Sequence, residues 1–203
     1  MPGTHTTRPD ATRAKLLDAA FAEIHRHGFQ AASLNHIVAA AGVTKGGLFH
    51  HFSGKQALGY AVLDEVIAPL LVERWLAPLT DTDDPITALQ RAFRRYIRTD
   101  IASGHWVQGC PMNNLAQEMS PLDEGFRTRL DAFYATWRDA IATALKRGQR
   151  AGTVRPDVNV RGAATLVVFS QMGIWGTGKY SQDPKLMTQA GEALCAYLDT
   201  LRR

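Results

Sequence analysis

Apolar residues recur along this chain at intervals of three and four, with polar residues between them, and nowhere alternate as a strand would require. The pattern predicts an all-α protein. Leu16, Leu17, Ala20, Phe21 and Ile24 make one face of a first helix, and Gly28 closes it. Leu34, Ile37, Val38 and Ala41 make a short second helix, with Ser33 at the N-cap and Gly42 just past the end. Thr44 caps a third, Lys45 to His51, whose Leu48 and Phe52 face back toward the second. Two short helices joined by a glycine turn, resting on a longer one, form a helix-turn-helix head over residues 1–54.

Residues 55–203 read as a larger helical domain. Its first helix runs from Lys55 to about Leu76 and should kink or break at Pro69, because proline lacks the backbone donor and clashes one turn back. After a linker at residues 77–84, Asp84 and Pro85 sit as N-cap and first residue of the next helix, which ends near Gly104. Pro111 opens a short helix, and Asp123 and Glu124 start one that stops between Gly148 and Gly152. Val160 to about Lys179 is apolar almost all round, so it must be covered on every side, by its own domain or by a second subunit. A last helix covers Pro184 to Leu201.

Charge sharpens the reading of the head. The net charge is only +4, yet no acidic residue lies between Glu23 and Asp64, an interval that holds Arg26, Lys45, Lys55 and five of the seven histidines. A carboxylate-free surface suits a polyanion, since each Asp or Glu beside a phosphate adds repulsion. Gly46 and Gly47 cost about 1 kcal/mol each in a helix interior, which points to a reason outside the helix: a bare backbone can approach a groove edge closely. Thr44, Lys45, His51 and Lys55 are placed for phosphates, and Phe49, His50 and the Gly47 backbone for base edges and thymine methyls. Ser33 and Gly46 complete the set of candidate DNA-contacting residues. Arg8 and Arg13 can reach the duplex as basic arms, or simply be solvated. His50 and His51 point about 100° apart on a helix, so no metal site is expected.

The run of Ser33, Gly42-Val43-Thr44-Lys45-Gly46, Leu48-Phe49, His51-Phe52 and Lys55-Gln56-Ala57-Leu58 resembles the DNA-binding segment of the TetR family of transcriptional regulators. The likeness covers roughly the first sixty residues; beyond them it is one of layout. It implies that Phe49, Lys45 and Lys55 face DNA. It also implies that the last two helices pair with their symmetry mates in a four-helix bundle, giving a homodimer on a palindromic operator of double-stranded DNA. One position departs from the family, which usually caps the fourth helix with Ser, Asn or Asp where this chain has Gly54. Ser53 is the candidate substitute cap.

The large domain is rich in residues that can line a small-molecule pocket: Trp75, Phe93, Tyr96, Trp106, Cys110 and Asn113, then Phe133, Trp137, Phe169, Met172 and Trp175. Core packing accounts for most of them. Cys110, between Gly109 and Pro111, sits at a helix N-terminus that favours thiolate, and Lys179 can add positive charge. The opposing reading is a small buried hydrophobe. The two cysteines are far apart and no apolar run approaches the ~20 residues of a membrane span, so a cytoplasmic protein with no membrane association is expected. The expected function is a ligand-responsive transcriptional regulator, not an enzyme and without a cofactor. It acts as a repressor that leaves its operator when a small apolar or electrophilic inducer binds. The alternatives are a cysteine-dependent helical enzyme and a helical binding module with no DNA role.

Overall fold

The computed structural model describes the backbone of residues 8–203 and side chains from residue 11 onward. Residues 1–7 and the Arg8 side chain, read above as a basic arm, lie outside the described residues. In the head, α1 spans Arg8–His27, α2 Leu34–Ala41 and α3 Lys45–His51. Each short helix is closed by the residues the sequence supplies. Ser33 accepts the His36 N–H at 3.4 Å, and Thr44 accepts the Gly47 N–H at 3.1 Å. Between them Gly42 takes φ 66°, a left-handed turn that a residue with a Cβ adopts only at a cost. Leu16, Leu17, Ala20, Ile37, Leu48 and Phe52 are all buried where the three helices meet. Burying a side chain such as Leu48 contributes about 2 kcal/mol.

The chain then enters α4, Lys55–Val62, whose N-cap Gly54 is extended and supplies no side-chain bond; Ser53 does not substitute for it. What the sequence reads as one helix kinked or interrupted at Pro69 is a continuous helical run with two widened turns. Leu63–Ile67 is π-helical and leads into α5, Ala68–Leu71; Val72–Leu76 is π-helical again and leads into a 3₁₀ turn, Ala77–Leu79. Each wide turn lies just before a proline. The Ala68 N–H reaches back five residues to Leu63, and the Ala77 N–H to Val72. Widening the turn lets the helix pass Pro69 and Pro78, which have no N–H to give, without breaking.

The larger domain follows with α6 (Pro85–Ser103), a 3₁₀ turn (His105–Gln108), α7 (Pro111–Met119), α8 (Glu124–Ala151), α9 (Val160–Ser181) and α10 (Pro184–Asp199). Asp84 caps α6, accepting the Thr87 N–H at 3.0 Å, and Asp123 caps α8, accepting the Phe126 N–H at 2.9 Å. No strand forms among the described residues. A single bridge between Val154 and Arg202 ties the end of the chain to the turn after α8. α9 packs on α8 and α10 through Ala163, Ala164, Val167, Val168 and Ile174. Its other face leaves Leu166 and Phe169 exposed, so this helix is only half covered within one chain.

Candidate nucleic-acid interface and interior cavity

On the head, the outer face of α3 carries the residues that the sequence singled out. Lys45, Gly46 and His50 are exposed, Phe49 is 53% exposed although it is a large apolar side chain, and His51 is half-buried. A Cβ built on Gly46 would come no nearer than 3.8 Å to Thr44 Oγ1, and one on Gly47 would meet the same atom at 3.5 Å. Both are ordinary contacts, so nothing inside the protein demands glycine at either position. The carboxylates that bound the acid-free interval are all engaged. Glu23 accepts the Ser33 N–H at 3.0 Å and contacts His36 at 3.2 Å; the Ser33 bond foremost holds its carboxyl below the usual range. Asp64 is bound by Arg129 at 3.0 Å and Glu65 by Arg13.

Two basic residues of the head have partners within the protein. Arg13 is not a loose arm, because its guanidinium binds Glu65 and lies 5.1 Å from the Phe52 ring centre. Lys55 donates to the Gln30 carbonyl at 2.8 Å and sits over the Phe29 ring at 5.2 Å, which engages one of its three N–H donors with the loop before α2. Among the described residues no group of three or more His, Cys, Asp or Glu is placed to hold a metal ion.

The joint between head and large domain is tightly built. The Glu118 carboxylate on α7 accepts both the Phe29 and Gln30 N–H groups at 2.8 Å, closing the end of α1 from the far side. Gly28 there takes φ 82°, and a Cβ on it would stand 3.0 Å from Glu118 Oε2. Tyr60 on α4 donates to Asp123 at 2.6 Å, and a Cβ on Gly59 would fall 2.3 Å from the Phe29 ring. His25 of α1 donates through Nε2 to the Gly109 carbonyl at 3.0 Å. Burial lowers its pKa, so it stays neutral and keeps the proton that the bond requires.

Two partly open cavities of about 410 and 560 Å³ share Phe21, His25, Arg26 and Pro111 as a wall. The smaller one is lined by Trp75, Cys110 and Trp175 from the expected set, together with Gln171. Its polar centre is an ion pair that sequence reasoning missed. Arg74 binds Asp100, which also accepts the Trp175 indole N–H at 2.7 Å. The guanidinium lies 4.1 Å from the Tyr96 ring centre, and the two side chains are only 17% and 15% exposed. Arg74 was not legible because a charged side chain on a helix reads as solvated, and its partner Asp100 lies 26 residues on; it lines the cavity with Leu70, Leu71 and Trp75, the i, i+1, i+4, i+5 face of one helical run.

The other expected pocket residues lie elsewhere. Asn113 and Lys179 line the larger cavity. Phe93, Trp106 and Trp137 are buried as core, Trp137 stacking between Trp75 and Tyr134. Tyr96 covers the outer side of Arg74, Phe133 packs edge-on to Trp137, and Met172 is engaged through its carbonyl by Asn113 at 3.4 Å. Phe169 corrects the expectation outright: at 57% exposed it faces away from the interior. Cys110 also behaves otherwise than its helix N-terminus suggests. It is the N-cap of α7, but burial pushes the thiol up, and the nearby Asn113 and Met112 N–H groups do not offset that. The cation acting on it is Arg74, not Lys179.

Residues 16–62 match the family described as bacterial regulatory proteins, tetR family, and residues 85–194 match the tetracyclin repressor-like C-terminal domain. The chain is 30% identical over 148 residues to the HTH-type transcriptional repressor DhaR of Mycobacterium sp. (strain GP1), a match spanning 72% of this chain and 71% of that protein. It is also 30% identical over 158 residues to the transcriptional regulator AcuR of Cereibacter sphaeroides, spanning 73% and 68%. A TetR transcriptional regulator from Chloroflexus aurantiacus J-10-FL, 25% identical, matches with a TM-score of 0.83 over 97% of this chain and 98% of its own. A family member from Cytophaga hutchinsonii shares the fold at 19% identity, with a TM-score of 0.87 and 97% of each chain covered.

Proposed function

Because the chain belongs to the TetR family and is thus a helix-turn-helix transcriptional regulator, we propose that it is a repressor. It grips a near-palindromic operator as a homodimer and lets go when a small molecule fills the cavity beneath α1. The observation that carries this reading is the shared wall. Phe21, His25 and Arg26 belong to α1 of the head, yet they line the same cavity as Trp75 and Trp175 of the large domain. A molecule entering there presses on the head directly, and the Glu118 and Tyr60–Asp123 bonds transmit the shift as a rigid-body movement. DNA loses because only one separation of the two reading helices fits half-sites spaced by whole turns of about 34 Å.

In this reading α3 enters the major groove. Lys45 and the Thr44 end of the helix meet phosphates, with Ser33 at the start of α2; His50 and Phe49 meet base edges; Gly46 and Gly47 let the backbone close in. Lys55, held to Gln30 by one of its N–H groups, stands at the start of α4 with two donors left for a phosphate. The second copy docks on the outer face of α9 and α10. There Leu166 and Phe169 are exposed, and Gly173 opens onto empty space that a partner helix can approach. The fitting compartment is the cytoplasm, and no helix among the described residues is long and apolar enough to cross a membrane.

The test is fluorescence anisotropy on a duplex taken from upstream of the chain's own gene, across a salt series. Lys45→Ala should weaken binding and flatten the slope of log affinity against log salt by about one unit, the signature of one lost phosphate contact. An unchanged slope in that variant would overturn the assignment of α3.

A further inference from the structure

We infer that the head binds DNA together with protons: His36, His50 and His51 meet the duplex in their charged form, so affinity for DNA rises as the pH falls. The inference deepens the reading of α3 given above and rests on it. The interval between Glu23 and Asp64 holds Arg26, Lys45 and Lys55 but five histidines, His25, His27, His36, His50 and His51. Histidine is the side chain that gains its charge within the physiological pH range, so most of the cationic capacity of this surface depends on protons. One of the five abstains. His25 is bonded to the Gly109 carbonyl, and burial lowers its pKa, so it stays neutral. The other four are exposed or half-buried, and protonating them more than doubles the positive charge of the interval.

The charges around these rings leave the duplex as the anion that protonation serves. Facing His36 is Glu23 of α1, 3.2 Å from its Nδ1, with His27 Nε2 at 3.8 Å from the other carboxylate oxygen. The Ser33 N–H foremost holds the Glu23 carboxyl below the usual range. A proton on His36 therefore offsets a standing negative charge at the start of α2, where Ser33 is placed for a phosphate. Around His50 and His51, α3 itself carries Lys45, α1 contributes Arg13, and α4 begins with Lys55. Arg13 lies over the Phe52 ring and engages Glu65, while Lys55 meets the Gln30 carbonyl. The His50 and His51 rings are 5.1 Å apart, so charges on both repel in the free protein. A phosphate beside them reverses that balance, since a nearby opposite charge favours the protonated form. Uptake of protons from solvent is thus coupled to binding, and by reciprocity a lower pH tightens the complex. Lys or Arg at these positions would grip DNA at any pH; histidine makes the grip conditional.

The test is fluorescence anisotropy with the full chain on the upstream duplex and on an unrelated duplex, from about pH 7.5 to about 5.5, where histidine changes charge. Ionic strength is fixed, and circular dichroism confirms the fold at each pH. Affinity for both duplexes should rise about tenfold or more, the linkage of one ring whose pKa moves by about one unit on binding. The slope of log affinity against log salt should steepen by about one unit for each ring recruited to a phosphate. Calorimetry in two buffers of different ionisation enthalpy should show net proton uptake. The triple variant His36→Gln, His50→Gln and His51→Gln should lose most of these responses. If it fails to fold or to bind, the single variants His36→Gln and His51→Gln should each lower the proton uptake. Affinity that does not rise, an absence of proton uptake, or uptake retained in full by the variants overturns the inference. Lysine is charged across the whole span, so Lys45→Ala separates this from the parent reading. A salt slope flattened in that variant at about pH 7.5, with no proton uptake by the unaltered chain, defeats the role of the histidines alone.

Discussion

Around α2 and α3 the helix ends are closed by Ser33, Thr44 and the Gly42 turn, and the side chains left without internal work, Lys45 and His50 among them, stand in solvent. On the wide turn Val72–Leu76 and on α9 the unspent groups, Arg74 Nε and Gln171 Oε1, are inside. A leftover charge on a surface asks for a large, external, polyanionic partner and can be met in many registers. A leftover donor and acceptor inside the protein cannot be met from solvent, and an unpaired buried group costs about 1–3 kcal/mol. The two regions also differ in how they bear strain. The head keeps two glycines that nothing inside requires, whereas at the joint a side chain on Gly59 would collide with Phe29.

The sharpest way to break this contrast is to remove the interior cation. Arg74→Ala leaves Asp100 buried and uncompensated, and should lower unfolding free energy by about 3 kcal/mol or more, read by urea denaturation. A loss under about 1 kcal/mol, the worth of a surface pair, would mean that the pair is effectively solvated. In the head the opposite sign is expected. Gly47→Ala adds a Cβ that meets only ordinary contacts, so thermal unfolding should shift upward by the equivalent of about 1 kcal/mol, while affinity for the duplex drops about tenfold or more. A gain in stability with DNA affinity intact would show that the glycines do not serve the groove.

The smallest expected effect is the pH response at the joint. Burial lowers the His25 pKa, so above about pH 6.5 the residue is neutral in both states and contributes no pH dependence. As the pH falls through the unfolded value, the unfolded chain takes up a proton that the folded one refuses. Stability declines until the folded pKa is passed. His25→Gln keeps a donor for the Gly109 carbonyl but cannot titrate. Its loss of stability between about pH 7.5 and 5.5 should therefore be smaller than that of the parent chain, and an equal loss would remove His25 from the account.

The helices, their caps and the helix-turn-helix head were legible because they depend on residues three and four apart. Ser33 and Thr44 find their partners within one turn, Asp84-Pro85 fixes its own boundary, and a run without carboxylates is countable in the sequence. The cavity was legible only as a composition. Of the aromatic residues that suggested a pocket, Trp75 and Trp175 reach the smaller cavity, Phe93 and Trp137 fill the core, and Phe169 points out. Local periodicity by itself therefore determined that this chain is helical, where each helix begins and which surface is free of carboxylates. Only the tertiary structure decided that Arg74 turns inward beside Trp75, that Asp100 meets it from α6, that Lys55 meets the Gln30 carbonyl, and that burial, not the end of α7, governs Cys110. Those outcomes depend on groups distant in the chain, 26 residues apart for Arg74 and Asp100, and a helical repeat carries no such pairing.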